Sequence, residues 1–577
     1  MFWKYINSKL KLNTGISPLN DKDGNPISTD EGKANILNDY FSSVFTKENI
    51  NNLPEFELKN LQETCTEIYI SVDEVKKKLQ QLDPNKAQGP DKIPAKVLKE
   101  LSEELALPLT VLFSKSLEKG ILPSDWKKAE ITAIFKKGNK TDPGNYRPVS
   151  LTCIVCKVME QFVRDTVVQH MSDHKMYSKC QHGFRTGRSC MTQLTEVMND
   201  FTKFIDSRET FDVVYLDFKK AFDSVPHERL LLKLHSYGIH GKVHNWIRNF
   251  LTGRMQKVRV ENTHSSEAKV LSGIPQGSIL GPILFTIFIN DLPEVVDSIC
   301  KIFADDTKIY NTSNKSSVIQ HDINKLIKWS EKWNLYFNDA KCKVMHMGKN
   351  NPSYKYDIQH DGRNKHILEV CREEKDLGVI FDEELVFDKH INSAISKANR
   401  MIGLIRRSFK GMKGSTFINL YKSLVRPHLE YGNQVWSPFL KRQSSAIERV
   451  QRRATKLVKH LADLTYEERL KKLSLPSLKY RRIRGDLINT YKIFNDTEDT
   501  NQTLFFLTKD TRTRNHELKI LTQYSRTNIR KNFFTNRVTK FWNNLPPYIK
   551  LAQTLNQFKS LLDKHPPMMK LQKEYDG

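Results

Sequence analysis

Residues 301–310 read Lys-Ile-Phe-Ala-Asp-Asp-Thr-Lys-Ile-Tyr, and residues 212–218 read Asp-Val-Val-Tyr-Leu-Asp-Phe. In the first stretch apolar residues lie on both sides of Asp305-Asp306, which predicts a tight β-hairpin with both carboxylates at its turn. The second stretch predicts a mainly apolar strand that presents Asp217 at its end. Neighbouring carboxylates repel one another unless cations lie between them, so the three acids predict a pair of Mg²⁺ ions for phosphoryl transfer. An Asp-Asp pair alone is more often a surface turn, but the apolar frames of both stretches favour the metal site.

The rest of the chain predicts an α+β protein. Apolar residues alternate or cluster as short strands, and between them they recur at helical spacing. Strands are predicted around 131–135, 149–154, 213–218, 257–260, 302–303 and 307–310, and helices around 71–82, 98–117 and 157–170. After about residue 385 the strands give way to basic amphipathic helices.

Charge and composition limit the functional classes. The chain has 577 residues and a net charge of +26, and residues 381–577 alone hold 38 Lys and Arg against 18 Asp and Glu, a net of +20. A surplus this one-sided predicts a polyanionic partner, although a solvated basic face is the plainer alternative. Residues 1–7 lack the apolar run of a signal peptide, and residues 279–289 are too few to span a bilayer. The eight cysteines are too sparse for a disulfide scaffold, and buried free thiols explain them better than a zinc site.

Residues 272–282, Ser-Gly-Ile-Pro-Gln-Gly-Ser-Ile-Leu-Gly-Pro, form a loop punctuated by glycine and proline before an apolar helix at 283–289. Its glycines would let the backbone approach a ligand closely, and Gln276 offers an amide to a base or a sugar. A glycine-rich loop without a ligand is an equally good interpretation of this stretch alone.

The chain resembles the reverse transcriptases of non-LTR retrotransposons (LINE elements), most closely the jockey-like group. The resemblance spans about residues 20–400 and continues more weakly to the C-terminus. It is carried by residues 215–227 (YLDFKKAFDSVPH), 273–277 (GIPQG), 303–306 (FADD) and 378–381 (GVIF), with support from 89–94 (GPDKIP), 145–151 (NYRPVSL) and 181–185 (QHGFR).

The resemblance implies a right-hand polymerase fold of fingers, palm and thumb, with a palm of antiparallel strands backed by helices. We expect an N-terminal extension or linker over 1–70 and the fingers and palm over 71–385, with a core at about 115–350. A helical thumb-like region at 386–465 and a mostly helical, basic C-terminal region at 466–577 would follow.

The resemblance also implies RNA-directed DNA polymerase activity, in which dNTPs are added to a primer 3′-hydroxyl on an RNA template. The partners would be the RNA template, the DNA primer or target, and dNTPs. Two Mg²⁺ ions, with Mn²⁺ as a substitute, would be the cofactors. The catalytic and metal-binding residues would be Asp217, Asp305 and Asp306, together with the backbone carbonyl of Phe218.

Further roles carry over to single positions of this chain. Phe222 matches the steric gate that excludes a ribose 2′-hydroxyl, and Lys341 matches a general acid for pyrophosphate, with Lys343 as a close rival. The segment 377–381 (Leu-Gly-Val-Ile-Phe) resembles the primer grip. The other nucleotide-binding residues would be Lys136 or Lys137, which the alignment does not separate, and Arg147, Gln276 and Gly277. The cations expected to contact the nucleic-acid backbone are Arg400, Arg406, Arg407, Arg452, Arg453 and Lys456.

Some features of the family are not expected here. Nothing in residues 1–70 resembles the endonuclease that usually precedes the polymerase, so target nicking would need a separate or missing endonuclease. One alternative is a catalytically inactive, retroelement-derived protein that binds RNA and DNA. Another is a group II intron maturase, which shares the Ala-Asp-Asp hairpin but whose maturase domain the C-terminal sequence does not resemble. We expect an intracellular protein, and the family mechanism implies the nucleus; the oligomeric state stays open.

Overall fold

The computed structural model describes residues 15–57, 63–362, 364–409, 411–495, 504–505 and 518–565. Residues 1–7, which were examined for a signal peptide, lie outside these ranges. Across the described residues, no helix combines the length and the apolar character that a bilayer crossing requires.

The N-terminal part of the chain is a small β-hairpin followed by four helices. The first helix begins after Thr29, whose hydroxyl accepts from the Gly32 N–H, and the second begins after Ser71, whose hydroxyl accepts from the Glu74 N–H as the sequence predicted. The predicted helix over 98–117 is two helices that meet at Leu101, which has the non-helical ψ of 27°. The elements are β1 (Leu19–Asn20), β2 (Pro26–Ile27), α1 (Asp30–Ser43), α2 (Val72–Gln80), α3 (Ala95–Glu100) and α4 (Ser102–Lys119).

The middle of the chain alternates strands and helices in the α+β manner that the sequence predicted. Up to residue 270 the elements are β3 (Lys128–Phe135), β4 (Tyr146–Leu151), α5 (Ile154–Asp173), α6 (Cys190–Asp206), β5 (Phe211–Leu216), α7 (Ala221–Ser224), α8 (His227–Ser236), α9 (Gly241–Leu251), β6 (Arg254–Val260), β7 (Thr263–His264) and β8 (Ala268–Val270). Up to residue 382 they are α10 (Gly281–Phe288), β9 (Ile299–Phe303), β10 (Asp306–Thr312), α11 (Ser316–Trp333), β11 (Lys343–Met347), β12 (Asp357–Ile358), β13 (His366–Ile367), β14 (Glu369–Val370), β15 (Glu373–Asp376) and β16 (Val379–Asp382).

The remainder is helical, as expected beyond residue 385. The elements are α12 (Asp388–Ser408), α13 (Gly414–Leu420), a π-helical turn (Tyr421–Val425), α14 (Arg426–Glu430), α15 (Asn433–Trp436), α16 (Lys441–Thr455), α17 (Tyr466–Leu473), α18 (Leu478–Phe494), α19 (Asn528–Lys531), α20 (Phe534–Arg537), α21 (Thr539–Asn543), α22 (Pro547–Lys550) and α23 (Leu555–Lys564).

A central five-stranded sheet has the order β14-β11-β5-β10-β9, antiparallel except for the β11–β14 pair. Its middle strand β5 is buried on both faces, because Val214 belongs to one apolar core and Val213 to another. The only carboxylate inside β5, Asp212, is fully buried and accepts hydrogen bonds from His346, Asn351 and Tyr356. Burial of a charged group is tolerable when its oxygens are satisfied in this way, and the two cores fix the register of the strand.

A second sheet, of order β4-β3-β6-β7 with β8 also paired to β6, lies beside the first. Helix α1 packs on it, and Leu37 and Phe41 of the helix share a core with Ile131 and Val258 of the strands. The N-terminal segment is therefore part of this layer and not a loose linker.

The C-terminal helices form one core with the second face of the central sheet. Helix α12 packs on α16, and Arg530, almost fully buried, donates to Thr202 Oγ1 (2.9 Å) on α6. Arg537 pairs with Asp486 on α18 at 2.8 Å. The described part of 466–577 is thus packed against the body of the protein.

Candidate active site

Asp217 follows the last residue of β5, where the sequence predicted it. The register of β10 on β5 pairs Thr307 with Leu216, so Asp306 and Asp217 lie at the same end of adjacent antiparallel strands. The carbonyl of Asp217 accepts a hydrogen bond from the Asn338 N–H at 2.7 Å. The strand pairing thus brings together acids that are almost ninety residues apart in the chain.

The hairpin that carries Asp305 and Asp306 turns one residue earlier than predicted. Asp306 pairs with Phe303 as the first residue of β10, so the turn consists of Ala304 and Asp305. Ala304 adopts φ 53°, a left-handed conformation that is costly for a residue with a Cβ. The two carboxylates therefore do not share the turn: only Asp305 is in it, and Asp306 belongs to the strand.

The carboxylates disfavour one another's charge. Burial raises the pKa of Asp305, and the nearby Asp217 raises it further. Burial, followed by the charges of Asp305 and Asp376, raises the pKa of Asp306 to about 6. Clustered acids with raised pKa values are typical of sites that bind cations or transfer protons.

The Gln181-His182-Gly183 segment supports the hairpin turn, a role that its sequence did not reveal. The Oε1 atom of Gln181 accepts hydrogen bonds from the N–H groups of Gly183 (2.7 Å) and Ala304 (3.1 Å). Gly183 approaches the turn so closely that a Cβ there would lie 2.5 Å from the Ala304 nitrogen. This backbone approach fixes the turn that presents Asp305.

A cavity of about 700 Å³ opens in front of these acids. Asp217 and Asp305 line it, whereas Asp306 and Lys343 do not. The other predicted residues on its wall are Lys136, Lys137, Arg147, Phe218, Phe222, Gln276, Gly277 and Lys341. Of the two rival lysines, Lys341 therefore faces the cavity, and Lys343 lies in β11 within 3.8 Å of Glu369.

Cations line the cavity wall that the second sheet provides. Arg147 on β4 lies opposite Ile134 of β3, and Lys136 follows directly after β3. Burial lowers the pKa of Lys136, and the neighbouring charges of Arg147 and Lys341 lower it further. The positive groups are close enough to repel one another. A bound anion would relieve this repulsion.

Phe222 lies on the cavity floor with its ring fixed. It stacks on Phe285 of α10 with the ring centroids 4.4 Å apart and the planes at 22°. Its carbonyl accepts from the Ile274 N–H at 2.8 Å. The ring therefore has little freedom to move away from a ligand in the cavity.

Asp223, the residue after Phe222, was not predicted as a site residue. Its Oδ1 accepts a hydrogen bond from Gln276 Nε2 at 2.8 Å, and burial raises its pKa to about 6. Because the amide nitrogen of Gln276 is engaged by Asp223, Gln276 Oε1 is the atom left to accept a hydrogen bond.

The loop glycines also approach the protein's own backbone closely. Gly273 has φ 85°, and a Cβ there would lie 2.5 Å from the carbonyl oxygen of Asp223. Gly277 has φ 111°, and a Cβ there would lie 2.8 Å from the Ser150 carbonyl oxygen. These glycines let the loop lie against the protein's own backbone, which positions Gln276 between two neighbouring segments.

The donor set suits a hard divalent cation, because carboxylate and carbonyl oxygens are its preferred ligands. Over the ranges described, however, no three His, Cys, Asp or Glu side chains converge closely enough to hold an ion. Lys341 Nζ instead lies 2.9 Å from Asp217 Oδ2. A cation at Asp217 would therefore have to displace the lysine.

The predicted backbone-contacting cations lie on α12 and α16, away from the cavity. Arg453 on α16 donates to Asn399 Oδ1 on α12 at 3.0 Å, next to Arg400. Arg452 lies over the ring of Tyr466, 4.8 Å from its centroid. All six cations are exposed; five belong to two helices that pack together, and Lys456 directly follows the second helix: Arg400, Arg406, Arg407, Arg452, Arg453 and Lys456.

Comparison with known proteins agrees with the geometry. Residues 134–381 match the reverse transcriptase (RNA-dependent DNA polymerase) family. The chain is 26% identical over 479 residues to the probable RNA-directed DNA polymerase from transposon X-element of Drosophila melanogaster, covering 79% of this chain and 52% of that protein. It is 30% identical over 384 residues to the RNA-directed DNA polymerase from mobile element jockey of the same species, covering 64% and 41%. It is 25% identical over 491 residues to the probable RNA-directed DNA polymerase from transposon BS, covering 79% and 52%.

The chain thus spans about half the length of the curated relatives it matches. The matched range contains the hairpin acids, the cavity cations and the two loops that flank them. Residues 134–381 therefore match a reverse transcriptase domain, and the chain is similar to the RNA-directed DNA polymerases of jockey and related transposons.

Proposed function

We propose that the protein is an RNA-directed DNA polymerase that extends a primer 3′-hydroxyl with dNTPs on an RNA template. The observation that carries the proposal is the cavity in which Asp217 and Asp305 meet the ring of Phe222 and the cations of the second sheet. A polymerase needs these three elements together: acids for metal ions, a surface that reads the sugar, and positive charge for a triphosphate.

Asp217, Asp305, Asp306 and the carbonyl of Phe218 would hold two divalent cations, Mg²⁺ or, as a substitute, Mn²⁺. One observation supports the role of the Phe218 carbonyl: the bridge between Phe218 and Phe337 uses the carbonyl of Asp217 and the N–H of Lys219. The Phe218 carbonyl therefore points to the other side of the strand. When bound, such ions lower the pKa of the primer hydroxyl and neutralise the leaving pyrophosphate.

The remaining cavity residues would bind the nucleotide. Arg147, with Lys136 and Lys137, would bind the triphosphate through charge-assisted hydrogen bonds. The fixed ring of Phe222 would occupy the space of a ribose 2′-hydroxyl and so select deoxynucleotides. Gln276, held by Asp223, would present its Oε1 to a hydroxyl of the sugar, and Gly277 would line the nascent base pair.

Lys341 would supply a proton to the pyrophosphate. Its Nζ atom lies 2.9 Å from Asp217 Oδ2. Once this ion pair is broken, the ammonium would be close to the leaving pyrophosphate. Lys343, held near Glu369 and Glu374 outside the cavity, is the weaker candidate.

The layers of the protein correspond to the parts of a polymerase in this proposal. The second sheet would be the fingers, the central sheet the palm, and α12 to α16 the thumb that follows the template–primer duplex; the β15–β16 hairpin would be the primer grip. In a jockey-like element the primer would be the 3′-hydroxyl that an endonuclease exposes when it nicks the DNA target. Synthesis would take place in the nucleus.

Primer extension tests the proposal. The purified chain, given an RNA template, a DNA primer, dNTPs and Mg²⁺, should give extension product, and the double variant Asp305→Asn plus Asp306→Asn should give none. Asp297→Asn, which removes an exposed acid paired with Lys325, is the matched control and should extend normally. Template–primer binding without extension by the wild type would favour the inactive RNA- and DNA-binding alternative.

A further inference from the structure

The N-terminal segment 15–57 lies outside the matched range 134–381 but reaches the nucleotide cavity. Tyr40 of α1 is part of the cavity wall. The segment also contacts the turn before Arg147, because the Asn20 N–H donates to the Thr141 carbonyl at 2.9 Å. The cavity is therefore built partly by residues that sequence comparison assigns to no domain.

The same segment holds two other parts of the cavity in place. The N–H of Thr46 donates to Ser272 Oγ at 2.7 Å, and its hydroxyl donates to the Ser224 carbonyl at 2.8 Å. Ser272 in turn donates to the carbonyl of Asp223 at 2.9 Å. The segment 15–57 therefore contacts three regions next to the cavity, at Thr141, Ser224 and Ser272, which is more than a simple linker would do.

Tyr40 makes one contact whose chemistry points to a ligand. The Lys220 ammonium lies over the Tyr40 ring, 4.9 Å from its centroid, and is 3.4 Å from the Gly144 carbonyl oxygen. A Cβ on Gly144 would lie 3.1 Å from the Tyr40 hydroxyl oxygen, so the ring is also packed against this turn. Lys220 lines the cavity wall and forms no ion pair within the described residues, although its charge favours ionisation of the buried Asp223 carboxyl nearby.

The backbone at Lys220 is unusual for a lysine. It adopts φ 49° and ψ 48° just before α7, a left-handed conformation that is costly for a residue with a Cβ. The carbonyl of Lys220 accepts from the Asp223 N–H at 2.9 Å, and the preceding Lys219 is tied by its N–H to the Tyr336 carbonyl at 2.8 Å. Non-glycine residues in such conformations are concentrated at ligand-binding sites, where the surrounding structure compensates for the cost.

We propose that Lys220 is a further triphosphate-binding residue and that Tyr40 is the residue that positions it. Lys220 shares the cavity with Arg147 and Lys136, so a triphosphate bound there would meet cations from the second sheet and from the segment after β5. A lysine is a compact point charge on a flexible chain, and the Tyr40 ring limits that flexibility without competing for the charge. The assignment rests on the proposed polymerase function, since that function supplies the triphosphate ligand.

Two measurements on the full chain test the assignment. Isothermal titration calorimetry with inorganic tripolyphosphate, in the absence of Mg²⁺, reports the cation site without any need for catalysis. Single-nucleotide incorporation on an RNA template separates the apparent Kd of the dNTP from the maximal rate.

Lys220→Met should weaken tripolyphosphate binding roughly tenfold, the effect of losing one charge-assisted contact, and raise the dNTP Kd similarly with little change in maximal rate. Lys220→Arg should retain most of the binding. Lys219→Met is the matched control, because the neighbouring Lys219 is exposed and does not line the cavity.

Tyr40→Leu should weaken binding about threefold by itself and add nothing in the Lys220→Met background, whereas Tyr40→Phe should behave as the wild type. An equal effect of Tyr40→Leu in both backgrounds would overturn its positioning role. Wild-type tripolyphosphate binding by Lys220→Met would overturn the site itself. If the wild type extends no primer but Lys220→Met still loses tripolyphosphate binding, the polymerase proposal fails and the anion site stands.

Discussion

The ring of Phe222 lies on a second ring, that of Phe285, and its backbone is tied to the 272–282 loop. A side chain held in this way can exclude an extra hydroxyl by contact, because moving it would break the ring stacking. The structure therefore gives a reason why this phenylalanine could discriminate between sugars that differ by one oxygen.

We expect Phe222→Ala to lower the preference for dNTPs over rNTPs by at least about tenfold, since the space for a 2′-hydroxyl opens when the ring is removed. The preference is measured as the ratio of kcat/KM values in single-nucleotide incorporation. Phe184→Ala, which removes an exposed ring outside the cavity, is the control and should leave the ratio unchanged. An unchanged ratio in Phe222→Ala would remove the gate assignment.

At the scale of the secondary-structure elements, the acidic hairpin depends on contacts from outside its own strands. Glu196 of α6 forms an ion pair with Lys301 of β9, in which Lys301 Nζ is 2.5 Å from Glu196 Oε2. The same oxygen is 3.4 Å from His182 Nε2. Gln181, next to His182, accepts from the backbone of the turn itself. The carboxylate of Glu196 thus links a helix, a strand and the supporting segment of the hairpin.

This link should make the stability of the protein sensitive to acid. Although burial opposes its charge, hydrogen bonding from His182 and the charge of Lys301 hold the pKa of Glu196 at about 2, and burial lowers the pKa of His182 to about 4. Both groups bind fewer protons in the folded state than in the unfolded state, where the ordinary values are 4.5 and 6.5. Their contribution to stability is therefore complete above pH 6.5 and is lost as the pH falls, first through the range of His182 and then through that of Glu196.

Urea unfolding measured from pH 7 down to about pH 3 tests this contribution. We expect Glu196→Gln to lower the free energy of unfolding at pH 7 by about 3 kcal/mol, because Lys301 is left buried without its partner, and the difference to shrink below pH 4.5. Glu67→Gln, which breaks an exposed pair with Lys242, should leave the free energy of unfolding at pH 7 nearly unchanged, because solvent screens this pair. A pH-independent difference for Glu196→Gln would show that packing, and not charge, is what Glu196 contributes.

At the scale of the whole molecule, positive charge is found both in the cavity and on the surface of α12 and α16. The cavity cations lie among acids, whereas Arg400, Arg406, Arg407, Arg452 and Arg453 are exposed on one pair of packed helices. Exposed lysines and arginines that contact nucleic-acid phosphates give binding that weakens steeply with salt and depends little on sequence.

We expect the triple variant Arg452→Gln, Arg453→Gln and Lys456→Gln to weaken template–primer binding and to reduce its salt slope by about 2, since each lost phosphate contact contributes roughly 0.7 to 0.9. Discrimination among dNTPs should not change. Binding is measured by fluorescence anisotropy across a series of salt concentrations.

The control is the triple replacement of Lys96, Lys115 and Lys119 by Gln, which removes the same charge from exposed positions on α3 and α4. An equal loss of salt slope in both triple variants would mean that total charge, and not the α12–α16 surface, attracts the nucleic acid.

The sequence by itself determined the α+β class, most of the strands and helices, and the family, because periodicity, turn residues and ordered motifs are local properties that survive in the printed chain. It also predicted which acids, cations and aromatic ring would meet, and the cavity brings nearly all of them together. The strand pairing that places Asp217 beside the hairpin acids follows from two apolar stretches that each need burial on both faces.

Only the tertiary structure decided the rest. The position of the turn at Ala304-Asp305 depends on the register with Phe303, and the support of that turn by Gln181 depends on a contact over more than one hundred residues. Asp223 meets Gln276, and Lys220 meets Tyr40, across segments that are distant in the chain, and the second contact requires the N-terminal helix to pack on the second sheet. Such contacts are determined by how whole layers pack against one another, and no local pattern of residues carries that information.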